Sequence, residues 1–114
     1  MNSKVHVLGT EYEIVERTRD SDKRLESANG YVDSSVKRIV LCRQEVDEYT
    51  IDDVSWFVKK VLRHEIVHAF LLESGLASNS CLFEEGWAKN EEMVDWFALQ
   101  APKIFEAFKE ADCL

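Results

Sequence analysis

Between residues 4 and 17 apolar and polar side chains alternate, as Lys4-Val5-His6-Val7-Leu8 and then Glu11-Tyr12-Glu13-Ile14-Val15-Glu16. A period of two marks strands with one face on a core, so these runs predict a hairpin turning at Gly9-Thr10. Residues 18–29 are polar and rich in turn formers, which predicts a loop or at most one short helical turn. A second hairpin is expected from Gly30-Tyr31-Val32-Asp33, a turn at Ser34-Ser35, and the longest strand over 36–42, Val36 to Cys42. Together the two hairpins predict a small antiparallel sheet.

The period then changes to 3.6. Thr50, Asp52 and Asp53 supply a cap and first-turn acids, and Val54, Phe57, Val58, Val61, Leu62, Val67, Phe70 and Leu71 recur at helical spacing. With Gly75 as the residue just past its end, a helix is predicted over 52–74. The Ser- and Asn-rich stretch 76–86 reads as a loop. A second helix is predicted over 86–100, with Pro102 marking its end or a short break, and a final amphipathic turn or two over 103–111. Trp56, Trp87, Trp96, Phe57, Phe70 and Phe97 are expected to form the core between the helices. Sheet first and helices second is an α+β architecture, and 114 residues suit a single domain over 1–114.

Composition narrows the partners. Apolar residues make up 46% and charged residues 32%, which argues against disorder and against a fibrous rod. Fourteen basic against twenty-two acidic side chains leave a net charge of −8, a poor match for duplex nucleic acid or an anionic membrane. That surplus suits a divalent cation better. No apolar run approaches the roughly 18–20 residues that span a bilayer, and Met1-Asn2-Ser3-Lys4-Val5-His6 lacks the apolar stretch of a signal peptide. A cytoplasmic location is the expectation, with Cys42, Cys81 and Cys113 as unpaired, mostly structural thiols; they form no CxxC pair.

The chemistry concentrates in His64-Glu65-Ile66-Val67-His68. Residues four apart on a helix stand one above the other, so both imidazoles can reach one metal ion from the same side. Glu65 lies about 100° around the helix from His64, placed to act as general base toward water at that ion. Random sequence of this composition produces the pattern in about one chain in a hundred. Two of the chain's three histidines fall in it, in the middle of its clearest helix.

Zinc in a catalytic site takes three protein ligands and leaves one position open. A third histidine at the spacing H-E-x-x-H-x-x-G-x-x-H is absent, Leu71 and Ser74 standing at those positions, and His6 is the one other imidazole. Within Asn90-Glu91-Glu92-Met93-Val94-Asp95, Glu91 and Asp95 share a helix face. Glu91 could bind the metal while Asp95 accepts the second N–H of a ligating histidine. Glu92 is the next choice as ligand, and Glu84 and Glu85 rank below both. Tyr31, Tyr49 and Arg63 are candidates to stabilise an oxyanion, with nothing to choose among them. Strand 36–42 is expected to be the edge on which an extended peptide could pair.

An H-E-x-x-H helix followed by a helix bearing E-x-x-x-D resembles the gluzincin arrangement of thermolysin-like metallopeptidases. The phrase His64-Glu65-Ile66-Val67-His68-Ala69-Phe70, the pattern Glu91-x-x-x-Asp95-x-Phe97-Ala98 and a small N-terminal sheet are closer still to the ImmA/IrrE-type zincins, short phage-encoded metallopeptidases included. Val67 stands where that family often carries a small residue. The resemblance implies a minimal zincin-like fold, zinc on His64, His68 and Glu91, Glu65 as base, and a phage or host regulatory protein as substrate inside a bacterial host. A zinc-binding module of the same fold with little turnover is the other reading.

Overall fold

The computed structural model describes residues 3–45, 52–79 and 86–114. A four-stranded sheet comes first: β1 (Ser3–Val7), β2 (Thr10–Arg17), β3 (Gly30–Asp33) and β4 (Arg38–Cys42). Helices follow: α1 (Val54–Glu73), the single-turn α2 (Leu76–Asn79) and α3 (Glu91–Glu110). The α+β layout is the expected one. Among the described residues, no helix is long and apolar enough to cross a membrane.

Both hairpins are antiparallel, but the sheet as a whole is mixed. Its strand order is β1-β2-β4-β3, and β2 and β4 pair in parallel, Glu13 opposite Arg38 through Arg17 opposite Cys42. The connection over 18–29 passes across the end of β4 and returns the chain as the outer strand β3. It holds two short 3-10 turns, Arg19–Ser21 and Lys23–Glu26, where one was the most expected. The first hairpin turns at Leu8-Gly9, not Gly9-Thr10: both residues have positive φ (50° and 84°), and Val7 pairs with Thr10. Two left-handed residues in a row match the right-handed twist of the flanking strands. The second turn takes four residues, Ser34 to Lys37, so β4 starts at Arg38.

β4 is not an edge. Ile39 and Leu41 join Val7, Tyr12 and Ile14 in a core against Val61 and Ala69 of α1, while Val40 and Cys42 pack with Leu25 on the opposite face. A strand covered on both faces reads as an unbroken apolar run, as Ile39-Val40-Leu41-Cys42 does. The edges are β1 and β3.

Asp53, not Thr50, caps α1, its side chain accepting from the Trp56 N–H at 2.9 Å; Thr50 lies outside the described residues. Gly75, with φ 87°, follows the helix end as expected. Asn90 caps α3, accepting from the Met93 N–H at 2.7 Å, so this helix starts at Glu91 and not at 86; Trp87–Lys89 form a separate 3-10 turn. The indoles do not build the interhelical core. Trp56, Trp87 and Trp96 are 47%, 63% and 56% exposed, and Phe70 is also exposed. The buried positions of α3 are instead Val94, Ala98 and Ala101, and Phe70, Phe97 and Phe105 line an open apolar cavity of about 400 Å³ between the helices. Cys42 is a buried free thiol, Cys113 is exposed, and Cys81 lies outside the described residues.

Pro102 sits inside α3, which continues to Glu110. Proline has no N–H to donate to the carbonyl four residues back, here that of the fully buried Ala98. Arg63 Nε on α1 donates to that carbonyl at 2.5 Å. An acceptor lost within one helix is thus satisfied from the other, and the bond pins the two together. Arg63→Met is therefore expected to cost about 1–3 kcal/mol, the penalty of an unsatisfied buried acceptor. In a Pro102→Ala background, where the new residue restores the helical N–H, the same change should cost less than half as much. Urea unfolding of the four proteins measures the coupling.

Candidate metal centre

α1 packs one side on the sheet and turns His64 and His68 toward the N-terminus of α3. The two Nε2 atoms are 3.2 Å apart. Glu91, in the first turn of α3, places Oε1 2.6 Å from His68 Nε2 and Oε2 3.2 Å from His64 Nε2. A tetrahedral ion with bonds of about 2.0–2.1 Å separates its ligand atoms by roughly 3.3 Å. The two imidazole nitrogens already stand at close to that spacing, and the Glu91 carboxylate reaches each of them with a different oxygen, so a metal ion between the imidazoles would have a carboxylate at hand.

His64 is braced from behind. Its Nδ1 lies 3.1 Å from Asp95 Oδ1, and a proton on Nδ1 shared with that carboxylate would leave Nε2 with the lone pair a metal needs. The same Asp95 oxygen accepts from Lys60 Nζ at 2.9 Å. That hydrogen bond from Lys60, reinforced by the one from His64, holds the Asp95 carboxyl below the usual carboxylate range. Burial lowers His68 from its ordinary value, which favours the neutral imidazole a metal requires.

Glu65 faces the sheet and is 6% exposed. Burial pushes its carboxyl up to about 7; the charge on His64 opposes the shift and Glu91 adds to it. His64, Glu65 and His68 bring one donor atom each to within 4.8 Å of one another, a group that could hold a metal ion. The Glu91 oxygens stand closer still to the two Nε2 atoms, so that both carboxylates, Glu65 and Glu91, adjoin the pair of imidazoles. A cation would draw the Glu65 carboxyl back down.

The cleft has two lobes, about 350 and 240 Å³, and both are lined by Gly30, His64, Glu65 and Glu91. Leu72, Ala77 and Ala88 give the larger lobe an apolar wall. Phe57, Lys60 and Asp95 line the smaller one.

No family model, curated protein or solved structure matches this chain.

The structure thus brings together His64, Glu65, His68, Glu91 and Asp95. It places His6 on β1, opposite Glu11 and at the far edge of the sheet from the cleft. Glu92 is exposed and lines neither lobe. Glu84, Glu85 and Tyr49 lie outside the described residues. Tyr31 points to the other face of the sheet, where its hydroxyl donates to Asp22 at 2.5 Å. Arg63 is turned to the Ala98 carbonyl.

Lys60 and Gly30 went unread in the sequence. Lys60 stands four residues before His64, the spacing that puts both on one face of α1. A glycine opening a strand marks close approach of another group. Asp95→Asn is expected to leave the fold intact and weaken the affinity for an added divalent metal ion about 10–100-fold, the usual effect of loosening a metal-binding histidine from behind. Competition against a chromophoric chelator reads the change.

Proposed function

We propose that this protein is a zinc-dependent metallopeptidase with His64, His68 and Glu91 as ligands and Glu65 as general base. One observation carries the reading: two imidazole nitrogens stand 3.2 Å apart with the Glu91 carboxylate against both, and a second carboxyl, the buried Glu65, lies in the same cluster. Two imidazoles and a carboxylate with an open position are a zinc set used for hydrolysis. A purely structural zinc site closes its fourth position and has no use for a base.

Bound zinc would supply Lewis acidity, making water a better nucleophile near neutral pH and polarising the scissile carbonyl. The protein's own part is positional. Glu65 takes the proton from the attacking water and hands it to the leaving amine. Asp95 and Lys60 hold His64 in place. β3 offers a substrate strand its edge, in place of the strand expected from the sequence. The Cys42 N–H donates to the Asn29 carbonyl at 2.9 Å, which makes Gly30 and Leu41 a non-hydrogen-bonded pair. The main-chain polar groups of Gly30 and Val32 therefore point away from β4, along the cleft, where an extended peptide could pair with them. A protein or peptide substrate follows, and the resemblance to ImmA/IrrE-type zincins favours a phage or host regulatory protein in a bacterial cytoplasm.

One observation favours the second reading, a zinc-binding module with little turnover. Tyr31 and Arg63, two of the three side chains considered for an oxyanion, are engaged elsewhere.

Elemental analysis should find close to one zinc per chain in the wild type and none in His68→Ala. No zinc in either, even after adding the metal back, would end the peptidase reading. Glu65→Gln should keep both zinc and fold while abolishing peptide hydrolysis; full retained activity in that variant would remove Glu65 from the mechanism.

A further inference from the structure

Among the described glycines, Gly9 and Gly75 have positive φ, and a Cβ added at either would meet nothing within 4 Å. Gly30 is the reverse case. Its φ is not positive, so its backbone makes no demand for glycine. Space does. A Cβ there would lie 2.9 Å from the Val40 carbonyl oxygen, 3.2 Å from Glu65 Cγ and 3.3 Å from Glu65 Oε2. The first obstacle belongs to the neighbouring strand; the other two belong to the acidic side chain on α1.

We infer that Gly30 is a positioning residue for Glu65: the missing side chain at the start of β3 is the space that the Glu65 carboxyl occupies. The placement has a purpose only under the peptidase reading, on which this inference rests. Gly30 and Glu65 are both in the wall shared by the two lobes of the cleft, together with His64 and Glu91. Glycine in a strand forgoes side-chain packing and loses more backbone entropy on folding than other residues. Here the unfilled volume is taken by a carboxyl group that the helix would otherwise have to send elsewhere. A side chain at position 30 must shift β3 against the Val40 carbonyl and press the Glu65 side chain back by a few tenths of an ångström. The exposed main chain of an edge strand cannot relieve both contacts at once, because the Val40 carbonyl limits its shift on the other side.

The test is a cycle of four proteins: wild type, Gly30→Ala, Glu65→Ala and the double variant. Thermal unfolding of the metal-free chains is read first. Gly30→Ala should lower the midpoint by about 5 °C more when Glu65 is present than in the Glu65→Ala background, a difference well above the scatter for independent sites. Folding of the double variant where Gly30→Ala alone fails to fold carries the same meaning. Equal losses in both backgrounds, or failure of both to fold, would assign Gly30 to the Val40 carbonyl alone and overturn the inference.

A second readout separates positioning from bulk stability. With zinc added, the ¹³C resonance of the Glu65 carboxyl, assigned by its loss in Glu65→Gln, should move in Gly30→Ala while zinc content stays at the wild-type level. An unmoved resonance would also overturn the inference. The unfolding cycle needs neither metal nor substrate. Its failure is therefore distinct from failure of the peptidase reading, which wild-type zinc content decides.

Discussion

Val61, Glu65 and Ala69 follow one another at four-residue intervals along the side of α1 that packs on the sheet, and all three are buried. A carboxyl group therefore occupies the middle of the contact between helix and sheet, a place where an apolar side chain would stabilise the fold more. Burial of that group opposes its ionisation, which is why its pKa rises to about 7. The arrangement around it follows from this one constraint. The sheet must leave room for the carboxyl, and does so at Gly30. The next residues round the helix, His64 and His68, are then turned toward α3 and the cleft.

Holding α3 at the right height is a separate problem, solved by small residues and one hydrogen bond. Ala98 and Ala101 allow the helices to approach closely. Arg63 reaches across to the carbonyl that Pro102 leaves without a helical donor. One turn earlier on α3, Asp95 receives both Lys60 and His64 from α1, and Glu91 spans the two imidazoles. Successive turns of α3 thus carry the Ala98 carbonyl, the Asp95 carboxylate and the Glu91 carboxylate, all engaged by side chains of α1. Because Glu91 stands in the first turn, its side chain also lies where the helix dipole favours a negative charge. Asn90 fixes where that turn begins.

The strand order decides which strand is left with an unpaired edge. Placing β4 between β2 and β3 buries Ile39, Val40, Leu41 and Cys42 from both sides and moves the free edge to β3. Among the described strands, β3 is the edge whose residues line the cleft. The short connection carrying Leu25 covers the other face of the sheet and takes the Tyr31 hydroxyl with it. The same topology that supplies an edge therefore ties the Tyr31 phenol to Asp22.

Local geometry explains what was legible in advance. The order of sheet and helices, the extent of α1 to within two residues, and the shared faces of His64 with His68 and of Glu91 with Asp95 all follow from periods of two and 3.6. Those periods are properties of a segment by itself. The sequence alone thus determined which side chains can stand together on one element. Only the tertiary structure decided which elements meet. Whether Glu91 or Glu92 faces the histidines depends on how α3 lies against α1. Whether a tryptophan is core or surface depends on which face of its helix meets a neighbouring element. That β4 is central, that α3 passes through Pro102, and that Glu65 lies against Gly30 are facts about groups distant in the chain. Each arises from burial and hydrogen bonding across the fold, and the pattern of any single segment carries no record of its future neighbour.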